Sequence, residues 1–297
     1  MSDNLKNSEL NALVSLLDDP SSQVFVKIRD KILVYGTEAI PYLQQAWDNS
    51  FNNELQHRVE EVIHTIQLSD LKHEFKKWKE TDRINLTKGF FLTSKFQYPE
   101  LSYNSIEEKV EKVKKDIWLE LNSNLTALEK VKVLNHILFD VHRFSGNKVN
   151  IDAPQNLYLN SLLETRKGNH LTIGILYIIL AQKLGLPVYG VDLPQHFILA
   201  YADEIQEGST TVPNDNEVLF YINPYNKGAV FTQREIEVFV KHLKLKPNPG
   251  YYKPCDNLTI IKRLIESMVV LFNKQGQHGK VSELKLIAEV LFSSEKD

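Results

Sequence analysis

Two histidines and one asparagine stand where predicted elements of structure begin or end. His170 comes two residues after Gly168 and opens a strongly apolar, helix-like run, His196 opens a strand-like run, and Asn223 closes the next one. A helix N-terminus stabilises an anion through its dipole and its free amide groups. A histidine on a neighbouring strand accepts a proton from a nucleophile, and an acid or amide on the next strand holds the imidazole in the required tautomer. The order of these three residues is therefore typical of a nucleophile–histidine–acid site.

The elements around these residues are readable from the sequence. The run from Leu171 to Leu184 is apolar almost all round, which predicts a helix wrapped by other elements. Residues 194–201 and 218–224 are rich in aromatic and β-branched side chains and predict two strands. The polar segment 204–216 between them contains many turn residues and predicts an exposed hairpin loop. A further helix is expected near 232–243.

The N-terminal part of the chain carries helical signals. Residues 8–68 predict four short helices, broken at Asp18-Asp19-Pro20, Gly36-Thr37 and Asn49-Ser50. Two helical hairpins in tandem, with an elbow-like stretch at 36–41, resemble HEAT-type repeats. Because solenoids usually need three or more repeats, a plain helical domain packed on its neighbour is an equal alternative.

Helical signals continue on both sides of the predicted strands. Apolar and charged residues alternate at helical spacing from Ile106 to Trp118, which predicts an amphipathic helix. Thr126 and Glu129 form a capping-box pattern at the start of another. A Pro-rich linker at 246–250 precedes a C-terminal helical hairpin.

Composition limits the classes of partner. Hydrophobic residues make up 42% of the 297 residues and charged residues 25%, with a formal net charge of -3, so neither nucleic acid nor an anionic membrane is expected as a bulk electrostatic partner. The sequence begins without an apolar signal-peptide core, and its most apolar stretch, Leu171 to Ala181, is too short to cross a bilayer. A cytoplasmic location is therefore expected.

The central third of the chain resembles the transglutaminase-like superfamily, and within it the SirB-type bacterial branch, in which the nucleophilic cysteine is generally absent. The resemblance covers roughly residues 126–245 and rests on many short motifs in the right order. These motifs are Leu134-Asn135-His136 with Phe139, Phe144-Ser145-Gly146-Asn147, Asn156-Leu157-Tyr158-Leu159-Asn160, Arg166-Lys167-Gly168-Asn169, Leu184-Gly185-Leu186-Pro187-Val188, Leu193-Pro194-Gln195-His196-Phe197 and Ile222-Asn223-Pro224-Tyr225-Asn226.

The resemblance implies that His170 occupies the position of the nucleophilic cysteine and that His196 matches the catalytic histidine. Asn223 stands where the superfamily usually has aspartate, although asparagine also orients the imidazole in the papain-like arrangement. Thr172 offers a hydroxyl. However, residues two apart on a helix face nearly opposite directions, and an alcohol ionises less readily than a thiol. The missing thiol therefore predicts a degenerate site without catalytic activity.

The single cysteine and the paired histidines suggest no further chemistry. Cys255 lies beyond the linker and is predicted to be a buried or surface residue with no catalytic role; a lone thiol also excludes an intrachain disulfide and suits a reducing compartment. His170 and His196 provide two of the three or four ligands that zinc needs, and no HxxxH or CxxC pattern supplies the rest. No metal and no cofactor are expected.

The predicted fold is α+β and mostly helical, with a papain/transglutaminase-like core between helical segments. The expected divisions are a HEAT-like helical arm at 1–70, a helical connector at 71–125, the core at 126–245 and a helical hairpin at 246–297.

The predicted function is a non-catalytic binding or scaffolding module with a protein or peptide partner. The alternative is a hydrolase or acyltransferase on amide or ester bonds, which uses His196 and Asn223 with a non-cysteine nucleophile such as Thr172. In addition, a histidine at a helix N-terminus is predicted to be harder to protonate than a free one.

Overall fold

The computed structural model describes residues 2–194, 196–203, 212–213 and 217–292. The chain divides into two compact units, Met1–Glu74 and Phe75–Asp297, which are described separately below.

The first unit is entirely helical in the residues described. Helices and turns alternate because Pro20, Gly36 and Ser50 interrupt the apolar repeat, as the sequence predicts. The helices are α1 (Ser2–Ser15), α2 (Ser22–Leu33), α3 (Ile40–Asp48) and the first part of α4 (Asn53–Thr81). Their apolar faces share one core, formed by Leu10, Leu13, Val14, Leu17, Phe25, Ile28, Ile32, Ala39, Leu43, Val59, Val62 and Ile66. The four helices are confirmed, whereas the HEAT-like pairing stays a prediction.

The second unit continues with helices up to the predicted site. These are the end of α4, α5 (Leu86–Lys95), α6 (Tyr103–Glu120), α7 (Ala127–Asn135), α8 (Leu159–Thr165) and α9 (His170–Lys183). The capping box of Thr126 and Glu129 opens α7 as predicted. After Asn135 the helix widens into a π-helical turn over His136–Val141. Every residue of α9 from Leu171 to Ala181 is buried, which confirms a helix wrapped on all sides.

A five-stranded antiparallel sheet lies beside α9. Its strands are β3 (Val188–Leu193), β4 (His196–Ala202), β5 (Val218–Asn223), β6 (Ala229–Phe231) and β7 (Pro254–Cys255). Their order in the sheet is β6-β5-β4-β3-β7. A separate pair of two-residue parallel strands, β1 (Ser145–Gly146) and β2 (Lys167–Gly168), precedes α9. The two strands predicted from the sequence are confirmed as β4 and β5. Most of the predicted loop at 204–216 lies outside the described residues.

The two faces of the sheet bury different helices. Phe197 of β4 packs against Gly174 of α9, so this face meets the buried helix. On the other face, Ile198 and Ala200 join a core with Ile236 and Val240. The latter two belong to α10 (Gln233–His242). Side chains alternate across a strand, and β4 is therefore buried on both sides.

The described chain closes with a helical hairpin, α11 (Asn257–Lys274) and α12 (His278–Phe292), which turns at Gly276 with a φ of +72°. Helices with one small antiparallel sheet confirm the expected α+β class. Among the described residues, the helices all fall short of the length and apolar character needed to cross a membrane.

Candidate functional site

His170 is the first residue of α9, and local capping fixes it there. Asn169 and Thr172 form a capping box: the Asn169 side-chain oxygen accepts a hydrogen bond from the Thr172 amide at 2.9 Å, and the Thr172 hydroxyl oxygen accepts one from the Asn169 amide at 3.1 Å. The same hydroxyl donates to the carbonyl oxygen of Asn156 at 2.8 Å, and Thr172 is fully buried. Its hydroxyl therefore serves to start the helix and to anchor the preceding loop.

The two histidines of the predicted site lie side by side. The ring centroids of His170 and His196 are 5.9 Å apart, and their planes are inclined by 47°. His196 is the exposed first residue of β4, and its ring stacks on that of Phe239 in α10, with centroids 4.8 Å apart and planes 15° apart. The structure thus brings the helix start and the strand start together.

Burial holds His170 in its neutral form. Burial lowers the pKa of His170 from 6.5 to about 4, and the nearby positive charge of Arg263 and the ring of His196 add to this shift. The predicted direction is confirmed. The first cause is the loss of water around the imidazole rather than the helix dipole alone.

Asn223 is placed at the end of β5, as predicted, and its side chain shapes the turn that follows. Its side-chain oxygen accepts hydrogen bonds from the amides of Tyr225 at 3.1 Å and Asn226 at 3.2 Å. The preceding residue, Ile222, pairs with Leu199, three residues along β4 from His196. A role for Asn223 in orienting the imidazole of His196 stays a prediction.

Arg263 of α11 is a site residue that the sequence did not suggest. It donates to the carbonyl oxygen of His196 at 2.9 Å and forms an ion pair with Asp192 of β3. Its side chain is only 16% exposed, and burial lowers its pKa. No local pattern marks this arginine, because its partners lie about seventy residues earlier in the chain and meet it only in the folded protein.

A polar loop lies next to the first turn of α9. The side-chain nitrogen of Asn156 donates to the carbonyl oxygens of Asn150 at 2.7 Å and Ile151 at 3.0 Å, and its side-chain oxygen accepts from Asn147 at 3.0 Å. This loop exposes Val149 at 94% and Ile151 at 67%. A polar network thus holds two apolar side chains in water, on a loop that is bonded to the first turn of α9 through Asn156 and Thr172.

Asn135 joins three parts of the core. Its side chain donates to the carbonyl oxygen of Gly228 at 2.9 Å and accepts from the hydroxyl of the buried Tyr177 in α9 at 3.1 Å. Gly228 has a φ of +72°, and a Cβ there would collide with the Asn135 side chain. The turn after Asn223 is thereby fixed to α7 and α9.

Cys255 lies far from the two histidines in the sequence. It belongs to β7, where it pairs with Gly190, and burial raises the pKa of its thiol to about 12. In the part of the chain that the structure describes, no group of three or more His, Cys, Asp or Glu side chains is arranged to hold a metal ion.

Comparison with known proteins places this architecture in a family. The model of the transglutaminase-like superfamily matches residues 104–266, more than half of the chain, and this segment contains His170, His196, Asn223 and Arg263. No solved structure matches the chain.

Curated relatives come from animals and bacteria. F-box only protein 21 of Homo sapiens is 27% identical over 48% of this chain and 22% of its own length. The UPF0162 proteins of Xylella fastidiosa and Vibrio cholerae are 26% and 24% identical, over 59% and 61% of this chain and 56% and 64% of their own. The chain thus spans about a fifth of the F-box protein and somewhat over half of the bacterial ones. From the extent of the family match and the arrangement of helix, strands and histidines, we conclude that the chain belongs to the transglutaminase-like superfamily.

Proposed function

We propose that this protein is a non-catalytic member of its superfamily, of the SirB-type, cysteine-lacking branch, and acts as a protein- or peptide-binding module. The observation that carries the proposal is the state of His170. A working site needs at this helix start a group that gives up a proton and attacks. The position holds instead a half-buried imidazole, neutral at pH 7, beside a second imidazole.

The hydroxyl of Thr172 and the thiol of Cys255 are poorly suited to act as the nucleophile of an enzyme. The hydroxyl of Thr172 is fully buried and already engaged with Asn156 and Asn169. The thiol of Cys255 belongs to a strand at the edge of the sheet, and its raised pKa keeps it protonated and weakly nucleophilic. The hydrolase or acyltransferase alternative would need one of these groups to be freed.

Exposed apolar and aromatic side chains in the second unit support binding. Val149 and Ile151 are exposed apolar side chains on a loop held by side-chain hydrogen bonds, and Tyr225, 38% exposed, lies over Gly146 next to the same loop. Exposed apolar groups on a fixed polar frame are typical of recognition surfaces. The stacked rings of His196 and Phe239 add an aromatic surface that suits a peptide side chain.

Two measurements test the proposal. Purified protein should show no turnover above background with an ester substrate, p-nitrophenyl acetate, or with casein as a source of amide bonds. His196→Ala should leave that background unchanged. A displayed peptide library should yield sequences that bind the wild type and bind Phe239→Ala or Ile151→Ser more weakly. Exposed Val238→Ala, on the same helix as Phe239, is the matched control. Turnover abolished by His196→Ala would establish the enzyme instead.

A further inference from the structure

A cavity of about 960 Å³ lies at the other end of α9 from the histidines. Ile179 and Lys183, from the last turns of α9, line it, together with the turn between α4 and α5 and the start of α11. His170 is the first residue of that helix, so the two ends are about 20 Å apart at 1.5 Å per residue. The cavity is therefore separate from the site of the two histidines.

Thr87 offers this cavity two hydrogen-bond donors. It is the second residue of α5, lines the cavity and is only 3% exposed. Among the residues that the structure describes, neither its hydroxyl nor its backbone amide has a hydrogen-bond partner. The side-chain oxygen of the cap residue Asn85 accepts from the amide of Lys88 and not from that of Thr87. Because Thr87 lines the cavity, its hydroxyl can donate a hydrogen bond to a ligand or water there.

Arg83 adds a positive charge that is not already paired. Within the described residues its guanidinium forms no ion pair, while its backbone is held by the side chain of Asn257, which donates to the carbonyl oxygens of Arg83 at 3.3 Å and Ile84 at 2.7 Å. Lys183, which also lines the cavity, forms ion pairs with Glu107 and Glu111. The turn that carries Arg83 is thus fixed, and Arg83 and Thr87 line the same cavity.

The rest of the cavity is suited to an apolar body. Ile179 and Leu186 are buried apolar residues on its wall, and the ring of Tyr189 lies beside them. We propose that this cavity binds a small organic anion, with a carboxylate or phosphate head on Thr87 and Arg83 and an apolar body against Ile179, Leu186 and Tyr189. Oxyanions favour such a combination of a helix N-terminal amide, a hydroxyl and a guanidinium.

The first test uses NMR titrations of the full chain with two probes, benzoate and phenyl phosphate. We expect saturable shifts of the amide signals of Thr87 and its neighbours with at least one of them. The probe that binds more tightly shows whether the cavity prefers a carboxylate or a phosphate group. Inorganic phosphate, which lacks the body, and benzyl alcohol, which lacks the charge, should each bind about tenfold more weakly.

Two variants locate the binding groups. Thr87→Val keeps the shape but removes the hydroxyl, and Arg83→Gln removes the charge at an exposed position where folding is not at risk. Each should weaken the better probe about tenfold, because a charge-assisted hydrogen bond is lost. Arg234→Gln, an exposed cation on α10 outside the cavity, is the matched control and should bind like the wild type.

Cys255 provides an independent readout because it is the chain's one cysteine and lines the same cavity. A saturating probe should slow its alkylation by iodoacetamide at least about threefold, as the rate follows access to the thiol. The proposal is overturned by absence of saturable binding, by equal binding of benzyl alcohol, or by Arg83→Gln binding as tightly as the wild type.

Discussion

Arg263 donates a hydrogen bond from its guanidinium to the backbone carbonyl oxygen of His196, 2.9 Å away, while the same side chain pairs with Asp192. The strand start that carries the exposed imidazole is thus held by a helix that begins sixty residues later in the chain, after the Pro-rich linker. The C-terminal hairpin is consequently part of the site and not an appendage to it.

Removing this link should destabilise the protein. Arg263→Ala removes the guanidinium from the carbonyl of His196 and from the carboxylate of Asp192, and we expect a loss of about 2 kcal/mol in the free energy of unfolding. Urea denaturation followed by circular dichroism measures it. The neighbouring Lys262, 49% exposed, pairs with Glu266 at 4.0 Å, and Lys262→Ala should cost less than about 0.5 kcal/mol. Equal effects of the two substitutions would show that the buried contacts of Arg263 contribute little.

His170 should make the protein less stable in acid. Above about pH 6.5 the imidazole is neutral in both the folded and the unfolded chain, so it has no effect on the pH dependence. As the pH falls from 6.5 to about 4, the unfolded chain binds a proton that the folded chain, with its lowered pKa, does not. The free energy of unfolding should fall by about 3 kcal/mol over this range, and below about pH 4 the loss is complete.

His170→Gln removes the titrating group and tests this directly. The variant should lose about 2 kcal/mol less stability than the wild type between pH 7 and pH 4.5, as measured by urea denaturation at each pH. An NMR titration of His170 with a pKa at or above 6.5 would contradict the burial argument.

Gly174 should not tolerate alanine, although alanine favours helices. A Cβ on Gly174 would lie 2.8 Å from the ring of Phe197, the residue after His196, in a fully buried contact. We expect Gly174→Ala to cost about 1 to 3 kcal/mol in thermal or urea unfolding. Gly279 in α12 has open space around its Cβ position, so Gly279→Ala should be neutral or stabilise by up to about 1 kcal/mol. Adding Phe197→Leu to the first variant should recover part of the loss.

A thiol placed at position 170 should differ from the native one. The helix N-terminus and the imidazole of His196 favour a thiolate in His170→Cys, whereas burial raises the pKa of Cys255 to about 12. Iodoacetamide at pH 7 should therefore alkylate position 170 faster, as mass spectrometry of the two peptides can quantify. Labelling of Cys255 alone would mean that position 170 does not present its side chain to His196.

Local signals predicted local structure well. The cap of Thr126 and the aromatic runs of β4 and β5 are set by neighbours a few residues away, so those elements were visible in the sequence. The two-residue strand β7 was not, because Pro254 and Cys255 are strand residues only through their pairing with β3.

The site was predictable in its order but not in its surroundings. A glycine two residues before His170 and the strand-like run after His196 indicated their placement, and the two rings do meet. The stacking of Phe239 and the pairing of Arg263 depend on elements that lie far apart in sequence, as does the desolvation that lowers the pKa of His170. Such interactions have no spacing rule to reveal them.

The bridge from Asn135 to Gly228 and Tyr177 has a consequence for how this sequence can diverge. A larger residue at 228 needs the space of the Asn135 side chain, and a smaller one at 135 leaves both the Gly228 carbonyl and the Tyr177 hydroxyl without their partner. Neither change is tolerable alone, so lineages descended from this chain should either inherit the three residues together or replace them together. Positions 42 and 93 residues apart would then vary as one unit.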